Sequence, residues 1–145
     1  MTAFETRDPN WIQKTLRTFN EAPFMRDLGG RLVDIEPGRV TTELDLLDKH
    51  LQQDGYVHAG VQASLADHTA GTAAATLMAP GQIVLTIEFK LSLMVAARGQ
   101  KLVCRGTVIK PGRQVTFAEA KVYAVESGSE RLVSHATASM ALVRR

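Results

Sequence analysis

Residues 59–78, AGVQASLADHTAGTAAATLM, differ from everything around them. They are rich in Ala, Gly, Ser and Thr, and the spacing predicts a helix that Pro80-Gly81 closes. Gly71 costs such a helix about 1 kcal/mol relative to alanine. Between Ala59 and Ala79 only Asp67 and His68 can ionise. A helix with almost no charge is apolar on all sides and belongs in an interior. Its small side chains suit a place where neighbours approach closely.

On both sides of this segment the chain reads as strands. Arg31 to Ile35 is a strand, and Pro37-Gly38 is a turn. Val40 to Leu46 alternates, with Val40, Thr42, Leu44 and Leu46 on one face and Thr41, Glu43 and Asp45 on the other. Asp48 to Tyr56 is a polar loop. After the helix, Ile83, Leu85, Ile87, Phe89, Leu91 and Leu93 alternate with Val84, Thr86, Glu88, Lys90, Ser92 and Met94. Leu102 to Ile109, Gln114 to Val125 and Leu132 to Val143 follow, separated by turns at Pro111-Gly112 and Glu126-Ser127-Gly128-Ser129. In the second of these, Ala118, Ala120, Val122 and Ala124 form a small apolar face. Hairpin spacing predicts that the strands after the helix form an antiparallel meander. Near the start, Trp11, Ile12, Leu16 and Phe19 recur at helical spacing. Asp8 or Asn10 would cap that helix, with Pro9 in its first turn, and it would end near Ala22-Pro23. The fold class is therefore α+β: an antiparallel sheet with one face covered by the small-residue helix.

The chain's 145 residues suggest one domain, 1–145, able to bury about 70% of its unfolded surface. Charged residues make up 22% and the formal charge is +2, too mild a balance to argue for nucleic acid. Cys104 is the single cysteine, so no intrachain disulfide forms, as suits a reducing compartment. Residues 1–8 lack a signal-peptide layout, and no apolar run reaches the length of a membrane span. The expectation is a cytoplasmic protein with no membrane partner.

Asp67 is the residue that most needs an explanation. A carboxylate on a buried helix is expensive unless paired or hydrogen-bonded, and such groups are enriched at functional sites. Two readings are open: a catalytic carboxylate, or one that caps a kink or pairs with a basic residue. Asp67 and Gly60 lie two turns apart on one face, flanked by Ala63, Ser64, Ala70 and Gly71, which leave room for a ligand. The first amides of the helix lack intrahelical acceptors and sit at its positive end. For those near Ala59 and Gly60 two readings are again open: donors to a developing oxyanion, or an ordinary helix start with a glycine in its first turn. The axial separation is roughly 10 Å, too far for Asp67 to reach a carbonyl held at its own helix tip. The spacing hints at a dimer with shared sites.

The run His58-Ala59-Gly60-Val61-Gln62-Ala63-Ser64-Leu65-Ala66-Asp67 resembles the His-Gly-Gly…Leu-Ala-Asp signature of hotdog-fold acyl-CoA thioesterases of the phenylacetic-acid-degradation (PaaI) type. The resemblance implies a curved antiparallel sheet around a long central helix, here with an extra N-terminal helix. It implies a homodimer at minimum and commonly a homotetramer. Asp67 falls on the catalytic carboxylate, and Ala59 or Gly60 on the amide that polarises the thioester. His58 falls on the motif histidine, in a supporting role. Gln52 falls where the family often has Asn, and Thr86 on a small hydroxyl residue of the next strand. Ala59 and Gln52 depart from the family pattern.

Lys110, Arg113, Arg98 and Lys101 lie near hairpin ends and suit CoA phosphates. No histidine pair has metal-ligand spacing, so no metal is expected, and no cofactor beyond the CoA of the substrate. Ser64 lacks a nucleophile-elbow context, and Cys104 reads as a small core residue. His68, about 100° from Asp67 around the helix, reads as a packing residue. The expected reaction is hydrolysis of acyl-CoA to a carboxylic acid and free CoA, with Asp67 as general base or nucleophile. A hydratase using His58 and Asp67 and a non-catalytic acyl-CoA binder are the alternatives.

Overall fold

The computed structural model describes residues 4–145. Residues 1–3, the start of the stretch that lacks a signal-peptide layout, lie outside them. The first helix, α1, is Trp11–Asn20. It starts after Pro9 rather than with Pro9 in its first turn. Asn10 holds the N-cap position without a side-chain bond, while Asp8 organises the entrance. Its Oδ1 accepts from Asn10 N at 2.8 Å, and its carbonyl accepts from Trp11 N at 3.1 Å. The apolar piece that follows is a second short helix, α2, Pro23–Leu28. Proline opens it and Gly29, at φ +95°, ends it in the left-handed conformation, a pairing that suits both residues.

Six strands follow: β1 Gly30–Glu36, β2 Arg39–Asp45, β3 Gln82–Leu93, β4 Lys101–Lys110, β5 Val115–Glu126 and β6 Ser129–Arg144. They form one sheet in the order β1-β2-β4-β5-β6-β3, every pair antiparallel. The expected meander holds for β4, β5 and β6 and fails for β3. That strand pairs with β6 at the sheet's far edge, and β2 takes the place beside β4. Residues 94–100 are too long for a tight hairpin and run across the strand ends instead. Met94 N bonds Val133 O at 2.9 Å, Ala97 O accepts from Val57 N at 3.0 Å, and Gln100 N bonds Val125 O at 2.8 Å.

The central helix, α3, is Ala59–Ala75, three residues shorter than expected at its end. Thr76 caps it, its hydroxyl donating to Ala73 O and accepting from Gly38 N, both at 2.7 Å. The sheet curves over one side of α3 and α1 lies on the other, which is why no face of α3 is polar. Its hydroxyl residues are satisfied within the helix: Ser64, Thr69 and Thr72 each donate to the carbonyl four residues back. Thr69 also bonds Thr42 of β2 at 2.7 Å in the buried interior. Helix and sheet meet so closely that a Cβ on Gly106 would sit 2.7 Å from Thr69 O. This is the hotdog arrangement, with the extra N-terminal helix packed on the hotdog's helix. No helix among the described residues is long and apolar enough to cross a membrane, which says nothing of strands.

In β5 the expected face is buried: Ala118, Ala120 and Val122 have no exposure and Ala124 has 4%. The alternation read in β3 breaks. A bulge lies between Thr86 and Glu88, so Thr86 is opposite Met140 and Phe89 is opposite Ala138. Directly paired residues share a face, and Met140 and Ala138 are buried. Thr86 and Phe89 therefore both face the helix side, although the sequence pattern puts them on opposite faces. The bulge inserts one residue and resets the phase.

Candidate active site

The α3 tip is built by a loop and a cap. His58 occupies the N-cap, and its Nδ1 accepts from Gly60 N at 2.8 Å. His58 O accepts from Val61 N at 3.1 Å and Gln62 N at 3.3 Å. Gly60 is thereby excluded as a free donor. Ala59 N–H has no acceptor among the described residues and points from the positive end of the helix. An alanine suffices at this position because it is the first helical residue and has no positive φ.

Ala59 lines a cleft of about 300 Å³ with Gln52, Tyr56, Gln62, Leu93 and Met94 among its other walls. The loop carrying Gln52 is held by His50, which is buried. His50 Nδ1 accepts from Leu47 N at 3.0 Å, and Nε2 meets Leu28 O at 2.7 Å. His50 is therefore a neutral imidazole with its proton on Nε2. Its carbonyl accepts from His58 N at 2.9 Å. Gln52 is turned back on its own loop, with Oε1 accepting from Asp54 N. Gln62, which the sequence reading passed over, is buried in the same wall. Its Nε2 donates weakly to Val57 O at 3.4 Å, and its Oε1 has no partner among the described residues.

Asp67 stands two turns further along. Thr86 donates to its Oδ1 at 2.8 Å, a contact that depends on the β3 bulge. Asp67 makes no ion pair among the described residues, and it is half-buried. The pairing-with-base reading is thus removed. Asp67 and Thr86 lie outside the cleft that holds Ala59, at the edge strand of the sheet. Eight residues of helix separate Asp67 from Ala59, roughly 12 Å along the axis. The structure therefore joins the predicted residues in two groups: Gln52, His58, Ala59 and Gly60 at the tip, and Asp67 with Thr86 at the edge.

His68 is a packing residue. Its ring lies 4.9 Å from that of Phe19 on α1. Burial pulls its pKa below the usual histidine value, outweighing the pull of Asp67 and of backbone groups on α1. Cys104 is fully buried and its thiol is pushed up to about 12 by desolvation, so it is an inert core residue. Leu77 is core at the far end of α3, away from the cleft that Leu93 and Met94 line. Arg113 lies at that far end, in a pocket it shares with Leu77, and Lys110 is the last residue of β4 before the same turn. Within one chain they are remote from Ala59. No cluster of three or more His, Cys, Asp or Glu side chains suited to a metal occurs among the described residues.

A curved antiparallel sheet around one long helix is the fold of a class, the hotdog proteins, and the sequence matches place the chain among its thioester hydrolases. The Thioesterase superfamily model matches residues 54–130, more than half of the chain, and the chain belongs to that superfamily. Among curated proteins it is similar to the 1,4-dihydroxy-2-naphthoyl-CoA hydrolase of Listeria monocytogenes. The two are 27% identical over 95 residues, 66% of this chain and 77% of that one. Among solved structures, a thioesterase family protein from Silicibacter pomeroyi superposes with a TM-score of 0.91. It is 36% identical, over 93% of this chain and 99% of that one. A phenylacetic acid degradation-related protein from Ralstonia eutropha JMP134 has a TM-score of 0.75 and 22% identity, over 88% and 98% of the chains. At that identity the likeness shows the fold.

Proposed function

We propose that the protein hydrolyses acyl-CoA thioesters in the manner of the phenylacetic-acid-degradation type, at sites shared between two protomers. The observation that carries this is Asp67: the single carboxylate of α3, unpaired with any cation among the described residues, held at one oxygen by Thr86 of the edge strand. The Ala59 N–H of the partner subunit supplies the other half. Three further features support the shared site. Ala59 and Asp67 are too far apart in one chain. The outer edge of β3 has no strand beside it among the described residues. Leu85, Ile87 and Leu93 on that strand are about half exposed, a combination that invites pairing with a second copy.

In the reaction, the thioester carbonyl accepts a hydrogen bond from Ala59 N–H, which stabilises the developing oxyanion. Thr86 fixes one carboxylate oxygen and leaves the other to take a proton from water as that water attacks the carbonyl. The tetrahedral intermediate collapses, the C–S bond breaks, and the thiolate leaves as CoA. Direct attack by Asp67, through an anhydride that water then opens, uses the same groups. His58 shapes the tip and holds Gly60 N–H in its cap, so it acts as a positioning residue. A panel of acyl-CoA thioesters with detection of free thiol tests the proposal. Wild type should release CoA, and Asp67→Asn should lower kcat by about 10²–10⁴ while melting as wild type does. Undiminished turnover by Asp67→Asn would refute the assignment, and tight binding without thiol release would indicate a binder.

A further inference from the structure

A second groove adjoins the tip cleft. It encloses about 410 Å³ at the β5–β6 turn and shares Tyr56, Val95 and Ala96 with the cleft. Two arginines line it, Arg98 and Arg131, with Ser129 and one acid, Glu126. Arg98 is set in place by stacking, its guanidinium carbon 4.2 Å from the centre of the Tyr56 ring. Neither arginine has a carboxylate partner among the described residues. Lys14, Arg17, Arg31, Lys101 and Arg105, by contrast, are held by acids. The guanidinium forks of Arg98 and Arg131 are thus free for an anion, and their planar donors match phosphate oxygens. They outnumber the one acid in the groove.

The hydrolase reading places a thioester carbonyl at Ala59. Resting on that reading, we infer that Arg98 and Arg131, organised by Tyr56, bind the phosphates of the nucleotide end of CoA. Tyr56, Val95 and Ala96 form the shared wall along which the arm of CoA runs from the carbonyl to the groove. This assigns the phosphates to the α3 tip end of the chain and not to Lys110 and Arg113 at the opposite end.

The probe is adenosine 3′,5′-bisphosphate, titrated calorimetrically into the full chain so that no turnover is needed. The Arg98→Gln/Arg131→Gln variant should bind it at least about tenfold more weakly than wild type. Lys121→Gln, which removes a charge from the opposite face of the sheet, should bind it as wild type does. In kinetics, the double variant's KM should rise about tenfold for an acyl-CoA but not for the same acyl group on N-acetylcysteamine, which lacks the nucleotide. Equal binding by wild type and the double variant overturns the inference. So does a loss confined to Lys110→Gln/Arg113→Gln. Should bisphosphate bind as expected while wild type cleaves neither thioester, the groove stands and the hydrolase reading fails.

Discussion

β3 and β5 are strands of equal length, twelve residues each, and they obey different rules. β5 lies in the middle of the sheet, and every residue on its apolar face is covered by α3 or by neighbouring strands. That face is explained by its own chain, although Phe117 on the other face is 46% exposed. β3 lies at the edge, carries a bulge, and leaves Leu85 and Ile87 more than half exposed. Its sequence makes sense only with something beyond the chain. A strand whose pattern is unexplained by its own fold marks where function or a partner takes over.

The same substitution on the two strands should give the widest contrast. Ala120→Asp places an unpaired charge where there is no exposure, and should cost more than about 4 kcal/mol, enough to unfold the protein in a thermal melt. Leu85→Asp should keep the protomer's helix and sheet signature in circular dichroism. It should lower the mass seen in sedimentation and cut turnover at least about tenfold, because a shared site is lost. Unchanged mass and activity in Leu85→Asp would break the comparison. A smaller effect tests the bulge. Thr86→Val removes the hydrogen bond to Asp67 and should lower kcat about tenfold with little change in melting temperature. Thr86→Ser should restore most of it, and equal activity in the valine variant would make Thr86 a plain strand residue.

The smallest effect concerns stability alone. His68 is half-buried, with a pKa that desolvation pulls below its ordinary value of 6.5, so the unfolded state binds the proton more readily. The stability it contributes is complete above pH 6.5 and is lost as pH falls through the depressed folded value. Melts between pH 7 and pH 4.5 should therefore show a loss that His68→Phe reduces. Identical pH slopes in the two proteins would contradict the packing role.

Much of this was legible in the residues. The small, chargeless run at 59–78 announced a buried helix, because only an interior tolerates such a surface, and the alternation in β2 and β5 was carried by covered faces. β3 misled in two ways. Periodicity carries no information about which strand is next to which, and its regular alternation concealed a bulge that pairing alone reveals. The site divided similarly. Asp67 stood out as a carboxylate without local company, and Thr86 was found through the family resemblance. That Gly60 N–H is consumed by His58, leaving Ala59, depends on a ring nitrogen's position. Gln52 turning into its own loop and Arg98 lying on Tyr56 depend equally on the path of loops 51–58 and 94–100, whose hydrogen bonds run to distant strand ends.

The shared site is the claim on which the account turns, and mixing two inactive variants tests it. Asp67→Asn lacks the carboxylate. Ala59→Pro lacks the tip N–H and suits the first helical position, where His58 at ψ 139° already has the backbone a following proline requires. Each variant alone should be nearly inactive. After subunit exchange, an equimolar mixture should recover roughly a quarter of wild-type activity, since half the dimers are mixed and each of those holds one intact site. A mixture as inactive as its components would place the amide and the carboxylate of each site in the same chain.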